Sequence, residues 1–303
     1  MSARVLPFLV LGFGVAVVSF AAILIRFAHA EGAPSLAIAA IRLTVAALVL
    51  APFAWLRAGG EMLRLGRHEL GLCMLSGLLL ALHFWAWITS LEHTSVASST
   101  ALVTTNPLWV ALASAILLRE RPGSAAIAGI ALTLAGSMLV FAADASRATN
   151  PDSIPMFGNA LALVGAMAAS GYLLVGRALR ARVSLTAYIW LAYSAAAILL
   201  LAAAMTTGIS FGSLPGSAWV FMVALALGPQ LIGHTTFNWA LRRLTATFVA
   251  VAILGEPVGS ALLAYFFFGE QFSTLQFAGF VLLLSGIFVA ARDERLLRQD
   301  QAV

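Results

Sequence analysis

The chain contains an internal repeat with an offset of 150 residues. When the sequence is shifted against itself by this distance, the proline, glutamate and glycine positions fall into register without a gap. The aligned pairs are Pro107 with Pro257, Glu120 with Glu270, Gly129 with Gly279, and Gly136 with Gly286. An internal repeat of this kind marks a duplicated structural unit. The fold must therefore accommodate two like halves.

The composition places both halves in a lipid bilayer. The 303 residues are 62% hydrophobic and 10% charged, and the mean hydropathy is +1.00. That is too little polar surface to cover a water-soluble globule of this length. The long runs of Leu, Ala, Val and Phe lack the period-two alternation of a barrel strand, so they predict membrane-spanning helices.

Ten stretches approach the ~20 apolar residues that a spanning helix needs, because backbone groups in hydrocarbon must be satisfied within the segment. We therefore predict an all-α integral membrane fold with ten transmembrane helices. In chain order, helices 1 to 10 are predicted at 5–27, 34–56, 70–91, 95–118, 123–143, 157–179, 185–208, 216–241, 245–269 and 273–292.

The arginines predict the orientation of these helices. The chain has 17 arginines and no lysine, and placing the N-terminus in the cytoplasm collects fourteen of them on the inner side. Those fourteen are Arg4, Arg57, Arg64, Arg67, Arg119, Arg121, Arg177, Arg180, Arg182, Arg242, Arg243, Arg292, Arg295 and Arg298. Positive charge concentrates on the cytoplasmic side, so both termini are predicted inside. The net charge of +5 then reflects topology, and no nucleic-acid partner is expected.

The odd number of helices in each copy has a consequence for symmetry. With five helices per copy, the second copy enters the membrane in the opposite orientation, so the repeats are predicted to be inverted. The first repeat is residues 1–143, the polar stretch 144–156 is an outer linker, and the second repeat is 157–303 with a short cytoplasmic tail. Inverted halves can rock about a shared midplane site, which is the geometry of alternating access.

A short motif near the start of the chain could be mistaken for the cleavage site of a signal peptide. Residues 28–30 read Ala-His-Ala, which resembles a signal-peptidase site, but the preceding apolar run is long and contains Arg26. We therefore expect the segment to be retained as helix 1. The lone Cys73 excludes an intrachain disulfide and is predicted to be a small buried residue of helix 3.

The duplicated segments carry a family resemblance. The first reads TSVASSTALVTTNPLWVALASAILLRER followed by GIALTLAG, and the second reads LTATFVAVAILGEPVGSALLAYFFFGEQ followed by GFVLLLSG. This pattern resembles the EamA-type transporters of the drug/metabolite transporter superfamily over nearly the whole chain. The resemblance implies ten helices in two inverted repeats, and a carrier that exports small metabolites, amino acids or toxic compounds. It also implies a central cavity lined mainly by helices 1, 3, 4, 6, 8 and 9.

Glu256 is the one acidic residue predicted to lie in the middle of a span, in helix 9. An ionised carboxylate there is costly, so the side chain faces a cavity, pairs with a cation or is protonated. The sequence leaves two roles open, a proton-coupling or substrate-amine site, and a structural role beside Pro257. Its repeat partner, Asn106, also precedes a proline and is polar without being titratable.

Helix 8 carries the clearest polar pattern. Gln230, His234 and Asn238 recur every four residues and form one stripe, which we predict to face the bundle interior and to line a substrate cavity. Gly228-Pro229 before the stripe predicts a kink. The alternative is that the stripe only hydrogen-bonds neighbouring helices.

Further cavity candidates lie on helices 3, 4 and 6. His83 and Trp87 share one face of helix 3, whereas Trp85 lies on another face and favours the lipid interface. Asn106 in helix 4 and Tyr172 in helix 6 are the remaining candidates. Ser170 is weaker, and Trp190 and Tyr193 in helix 7 favour packing.

Arg42 lies about eight residues into helix 2, and from this depth its side chain does not readily reach the membrane surface. The sequence leaves three partners open: a substrate carboxylate, a buried acid and helix-end carbonyls. By contrast, the repeated Glu120 and Glu270 are predicted to cap helix N-termini. The two glycine pairs, each spaced by seven, are predicted to allow close helix packing.

The sequence predicts a carrier and leaves weaker alternatives open. His-Glu-x-x-His, Gly-x-Ser-x-Gly and Walker A motifs do not occur, so an intramembrane enzyme is disfavoured, and we expect no catalytic residue, metal or cofactor. A channel, or a membrane receptor or scaffold that does not transport, remains as an alternative. The predicted location is the prokaryotic inner (plasma) membrane, with a small-molecule substrate and an oligomeric state that the sequence does not specify.

The topology can be measured directly. Cysteine labelling or reporter fusions should place residues 57–69 and 177–184 in the cytoplasm and residues 144–155 outside, because the arginines cluster at the first two places. Finding 57–69 and 177–184 on opposite sides of the membrane would contradict the inverted ten-helix arrangement.

Overall fold

The computed structural model describes residues 5–93, 99, 102–103, 105–113, 115–116, 119, 123–145, 155–268 and 273–300. The described residues are almost all helical, and they contain no β-strand. Helices 1, 2 and 3 are Leu6–Ala30, Ser35–Met62 and Arg67–His93, and helices 5, 6 and 7 are Ser124–Ala145, Pro155–Leu179 and Leu185–Thr206. Helix 8 is Gly216–Ala240, helix 9 is the pair Ala246–Ile253 and Glu256–Phe268, and helix 10 is Thr274–Asp300.

Seven of these helices are long and apolar enough to cross a membrane, namely helices 1, 2, 3, 6, 7, 8 and 9. Helices 5 and 10 contain shorter apolar segments, Ser124–Leu139 and Thr274–Ala290. For predicted helix 4, the longest described stretch is the helix Asn106–Ala113. Glu120 and Glu270, with their predicted capping role, lie outside the described residues. The structure thus confirms an all-helical, multi-pass membrane protein.

Helix 9 is not the continuous span that the sequence predicts. It ends at Ile253 and restarts at Glu256, with a turn at Leu254 and Gly255. Pro257 explains the break, since proline has no backbone N–H and fits the first turn of a helix better than its interior. Helix 2, in contrast, continues through Pro52 to Met62, beyond its predicted end.

Helix 8 also departs from a regular α-helix. Residues Ala226–His234 form a π-helical segment that contains Pro229, and α-helix resumes at Thr235–Ala240. A proline in an α-helix clashes with the carbonyl four residues earlier, and a wider turn relieves that clash. The kink predicted at Gly228-Pro229 therefore corresponds to a stretch of π-helix.

The repeated glycines bring helices 5 and 10 into close contact. A Cβ atom built on Gly129 would lie 2.8 Å from the carbonyl oxygen of Gly286. One built on Gly136 would lie 2.6 Å from that of Gly279. Both distances are shorter than carbon and oxygen atoms tolerate, so only glycine permits this approach. The predicted close packing is confirmed.

Other neighbouring helices pack antiparallel. Helix 3 packs along helix 6, and helix 1 packs along helix 8. In each pair, the contacting residues have rising numbers in one helix and falling numbers in the other. The contacts are Leu79 with Gly171, His83 with Gly165 and His93 with Phe157, and then Gly14 with Thr236, Phe27 with Phe221 and Glu31 with Ser217. These pairings surround a common interior.

Helices 2 and 7 form a third antiparallel pair. The rings of Trp55 and Trp190 meet edge to face with centroids 5.7 Å apart. A little further along, the carboxylate of Glu61 accepts a hydrogen bond from the backbone N–H of Ser184 at 2.7 Å, and so supports the start of helix 7. Cys73 is free and buried, as predicted.

The glycine contact predicts a stability difference between two glycine-to-alanine variants. Gly136→Ala should destabilise the protein by about 1–3 kcal/mol, because its methyl group has no space against helix 10. Gly71→Ala is the control, because Gly71 lies in helix 3 with no atom within 4 Å of its Cβ position. Alanine there should be neutral or stabilising by up to ~1 kcal/mol.

Unfolding can be followed with a thiol-reactive fluorophore, because the single cysteine, Cys73, is fully buried and becomes reactive only when the fold opens. The midpoint temperature of the Gly136→Ala protein should fall below that of the Gly71→Ala protein. Equal midpoints would show that the crossing of helices 5 and 10 tolerates a methyl group.

Candidate functional site

A buried arginine occupies the centre of the bundle. Arg42 is 1% exposed, and its Nε donates a hydrogen bond to Oε1 of Gln230 at 2.7 Å. Its guanidinium carbon lies 3.9 Å from the centroid of the Phe84 ring, in a cation–π contact. Among the described residues, Nη1 and Nη2 have no hydrogen-bond partner.

The position of Arg42 explains why these contacts matter. Arg42 is the eighth residue of a helix that begins at Ser35, which puts its backbone ~10 Å along the axis. A guanidinium at that depth needs compensation. Of the three partners that the sequence leaves open, the structure supplies none directly by a hydrogen bond; it gives an amide, an aromatic face and an electrostatic interaction with Glu256.

The polar stripe of helix 8 faces the interior of the bundle. Gln230 and Asn238 are fully buried, and the half-buried His234 ring meets Phe84 edge to face at 5.3 Å between centroids. A spacing of four residues rotates a side chain by slightly more than one full turn in an α-helix and by slightly less than one full turn in a π-helix. Since the stripe crosses from π- to α-helix at His234, these two deviations offset each other and its side chains stay aligned.

Asn238 connects the stripe to helix 6. Its Nδ2 donates to the hydroxyl oxygen of Tyr172 at 2.5 Å and to the backbone carbonyl of His234 at 2.8 Å, while its Oδ1 has no described partner. The Tyr172 ring stacks on Tyr188 with centroids 6.4 Å apart. The Tyr188 hydroxyl is in turn hydrogen-bonded to Ser76 at 2.7 Å. This network closes the bundle beneath the stripe.

Arg180 holds the end of this network. It is 3% exposed, its Nε donates to the backbone carbonyl of Asn238 at 3.3 Å, and its Nη1 donates to the carbonyl of Val183. Burial lowers the pKa of Arg180 to about 10, so the side chain remains a cation at neutral pH. A permanent cation therefore fixes the ends of helices 6 and 8 together.

Aromatic rings form a wall next to the polar stripe. His83 and Trp87 stack with centroids 5.9 Å apart, and Nδ1 of His83 hydrogen-bonds the carbonyl of Gly165 at 3.0 Å. The Trp87 Nε1 is buried without a described partner. Trp85 is 37% exposed, which fits the lipid-facing position that the sequence favours for it.

Asn106 and Glu256 occupy equivalent places in the two halves. Each is the first residue of a helix and is followed by proline. The Ser19 hydroxyl donates to the carbonyl of Val15 at 2.9 Å and also lies 3.4 Å from the carbonyl oxygen of Glu256. In the same way the Ser170 hydroxyl donates to the carbonyl of Ala166 at 2.7 Å and lies 3.1 Å from the carbonyl oxygen of Asn106. Glu256 is half-buried, whereas the buried Oδ1 of Asn106 has no described partner.

Sequence reasoning missed or undervalued three residues of this region. Phe84 has no polar atom and no repeat pattern, so nothing in the sequence marks it as the surface beneath Arg42. Tyr193 is fully buried, and its hydroxyl donates to the Gln230 carbonyl at 3.4 Å, where the sequence favours simple packing. Ser19 could have been found from the repeat, since Ser170 lies one position from its equivalent in the second half.

The described residues of the site leave several buried polar atoms without partners and form no metal-binding cluster. Among the described residues, no group of three or more His, Cys, Asp or Glu side chains could bind an ion. Six buried polar atoms at the site are without hydrogen-bond partners in the same part of the chain. They are Arg42 Nη1 and Nη2, Gln230 Nε2, Trp87 Nε1, Asn106 Oδ1 and Asn238 Oδ1.

Comparison with known proteins identifies the family. The EamA-like transporter family matches residues 7–142 and again residues 156–292. The chain belongs to the EamA-like transporter family. The stretch 143–155 lies between the two EamA matches.

Individual EamA relatives agree with this membership. An uncharacterized transporter of Archaeoglobus fulgidus is 23% identical over 270 residues, which cover 88% of this chain and 90% of the relative. The uncharacterized transporter YwfM of Bacillus subtilis is 23% identical over 273 residues, or 90% of this chain and 89% of the relative. A protein of known crystal structure shares the fold with a TM-score of 0.79 at 23% identity, over 97% of this chain and all of the other.

The inward direction of the helix 8 stripe predicts a labelling pattern. In a Cys73→Ala background, a cysteine at the half-buried His234 should react with a small water-soluble maleimide. Ile232→Cys is the control, because Ile232 lies on the same helix and is 45% exposed on the outside of the bundle. It should react with a lipid-phase reagent and not with the aqueous one. The reverse pattern would place the stripe outside the cavity.

Proposed function

We propose that this protein is a secondary active transporter of the prokaryotic inner membrane, which exports small metabolites, amino acids or xenobiotics by alternating access. One observation carries the proposal: helices 2, 3, 4 and 8 bear buried polar atoms without partners among the described residues, and helices 2, 3 and 8 meet where Arg42 contacts Gln230 and Phe84. Each such atom costs ~1–3 kcal/mol unless something binds it. A soluble ligand that enters and leaves relieves this cost.

An inverted repeat supports the alternating-access mechanism. Gly129 contacts Gly286, and Gly136 contacts Gly279. With the 150-residue offset, Gly129 corresponds to Gly279 and Gly136 corresponds to Gly286. The repeat therefore converts each of the two contacts into the other. A two-fold axis relating the halves produces this reciprocity. The antiparallel course of helices 5 and 10 agrees with such an axis in the membrane plane.

The helix breaks support the same arrangement. The Ser19 hydroxyl of helix 1 lies 3.4 Å from the carbonyl oxygen where helix 9 restarts, and the Ser170 hydroxyl of helix 6 lies 3.1 Å from the carbonyl oxygen of Asn106. Discontinuous helices that meet near the middle of the membrane are characteristic of transport sites in inverted-repeat carriers. Glu256 is the first residue after the break of helix 9, and Asn106 is its repeat equivalent.

The roles of the individual residues follow from their neighbours. His234, Asn238, Gln230, His83, Trp87, Asn106 and Tyr172 line the substrate cavity. Amide and imidazole groups beside an aromatic wall suit a neutral or zwitterionic solute better than a polyanion. Glu256, at the positive end of a half-helix and near Arg42, carries the coupled proton or binds a substrate amine.

Transport in proteoliposomes tests the proposal. Uptake and efflux are measured for a panel of amino acids, nucleosides and cationic drugs, with and without an imposed pH gradient. At least one solute should move faster than in protein-free vesicles. No movement of any solute would favour a receptor or scaffold, and conductance that grows with voltage without saturation would favour a channel.

Glu256→Gln tests the coupling role. The substitution keeps the shape and hydrogen-bonding capacity of the side chain but removes its titration, so gradient-driven accumulation should be lost while solute exchange continues. Glu69→Gln, in the first turn of helix 3, is the control and should accumulate solute like the unaltered protein. Full proton-driven accumulation by the Glu256→Gln protein would assign Glu256 a structural role.

A further inference from the structure

The partnerless groups of Arg42 and of its partner Gln230 are hydrogen-bond donors. They are Nη1 and Nη2 of Arg42 and Nε2 of Gln230, and all three are buried. The acceptor of Gln230 is already occupied, since its Oε1 accepts from Nε of Arg42. This side of the site therefore offers N–H groups and requires a ligand that brings acceptors.

The guanidinium is held in one orientation. Gln230 fixes its Nε edge at 2.7 Å, and the Phe84 ring covers one face at 3.9 Å. What remains free is the edge formed by Nη1 and Nη2. Two parallel N–H bonds on that edge match the spacing of the two oxygens of a carboxylate, which is why arginine binds this group with both nitrogens at once.

The protein's own acid does not fill this edge. Glu256 interacts electrostatically with Arg42, yet neither Nη1 nor Nη2 has a hydrogen-bond partner among the described residues. The Nη1 and Nη2 donors of Arg42 therefore stay open. A ligand carboxylate can bind here without first breaking a hydrogen bond between Arg42 and an acid.

Next to the open edge lies an apolar surface. Phe84 contacts Arg42 on one side and the His234 ring on the other, and His83 lies 4.8 Å from Phe84 between ring centroids. The stacked Trp87 extends this surface. A ligand bound to Arg42 would place the rest of its body against aromatic rings.

We infer that Arg42 binds the carboxylate of the transported solute, and that the solute is an organic acid with one carboxylate and an apolar or aromatic body. The inference rests on the proposed transport function and adds its substrate class. Arg42 and Gln230 supply the donors, Phe84 and the His83–Trp87 stack supply the apolar surface, and a solute without an acceptor pair leaves the three donors unsatisfied.

Thermal stability of the purified protein tests the inference directly. The probes are benzoate and phenylacetate, their neutral amides benzamide and phenylacetamide, and the cation benzylamine, all at one ionic strength. A ligand that binds only the folded state raises the unfolding temperature. The two carboxylates should raise it, and the amides and the amine should raise it less or not at all. The reactivity of Cys73 reports unfolding in each case.

Variants of Arg42 make the assignment specific. Arg42→Gln removes the charge and the paired donors, and the apparent Kd for benzoate should rise roughly 10- to 100-fold. Arg42→Lys keeps the charge but not the two-nitrogen geometry and should lie between. Arg57→Gln is the matched control, because it removes one arginine from the same helix at an exposed position and should bind benzoate like the unaltered protein.

Glu256→Gln removes the negative charge of Glu256 and leaves the positive charge of Arg42, so it tests the effect of each charge on binding. Without the competing carboxylate, benzoate should bind at least as tightly as in the unaltered protein. Equal responses of the unaltered, Arg42→Lys and Arg42→Gln proteins to both carboxylates, including no response in any of them, would overturn the inference. So would stabilisation by benzamide or benzylamine equal to that by benzoate.

The inference and the proposed function fail in different ways. If proteoliposomes transport a solute that has no carboxylate, and Arg42→Lys leaves its rate unchanged, transport stands and the substrate class is wrong. If the carboxylates bind through Arg42 but no solute in the panel crosses the membrane, the site stands and the transport function is wrong.

Discussion

The hydrocarbon core of a bilayer offers no water to polar groups, and this constraint shapes every irregular part of the structure. Regular helices satisfy their own backbone groups, so an apolar chain can cross the membrane repeatedly without further support. Each departure from a regular helix needs its own explanation. The break at Leu254 and Gly255 comes just before Pro257, which fits the first turn of the helix that follows, and the π-helical segment of helix 8 accommodates Pro229. The polar side chains that remain partnerless in the interior are therefore the places where an external ligand can act.

The bond between Arg42 and Gln230 joins the two halves of the chain. Arg42 belongs to the first repeat and Gln230 to the second, and the contact is buried. In an alternating-access cycle the halves move relative to one another, so a bond between them is sensitive to that motion. A ligand that binds the open edge of Arg42 would add a further contact between the halves at the same place. Substrate binding and the movement of the halves would then be coupled through one side chain.

The close contact of helices 5 and 10 has a different part in the fold. Glycine brings their backbones together, and the contact lies in helices outside the set that the family resemblance assigns to the cavity. Close packing of small residues is the main source of helix association in lipid, where the hydrophobic effect contributes little. This contact gives the two halves a junction that does not involve Arg42, Gln230 or the polar stripe of helix 8.

The sequence by itself determined the membrane environment, the helical class, the duplication and most of the polar residues of interest, because composition and periodicity are local properties that survive without contacts. Gln230, His234 and Asn238 were recognisable as one stripe for that reason. Only the tertiary structure decided that the stripe reaches Arg42 and Tyr172, that Phe84 lies beneath the guanidinium, and that Nη1 and Nη2 are left open. Those facts depend on which helices become neighbours, and a residue such as Phe84 acquires its role solely from groups that are distant in the chain.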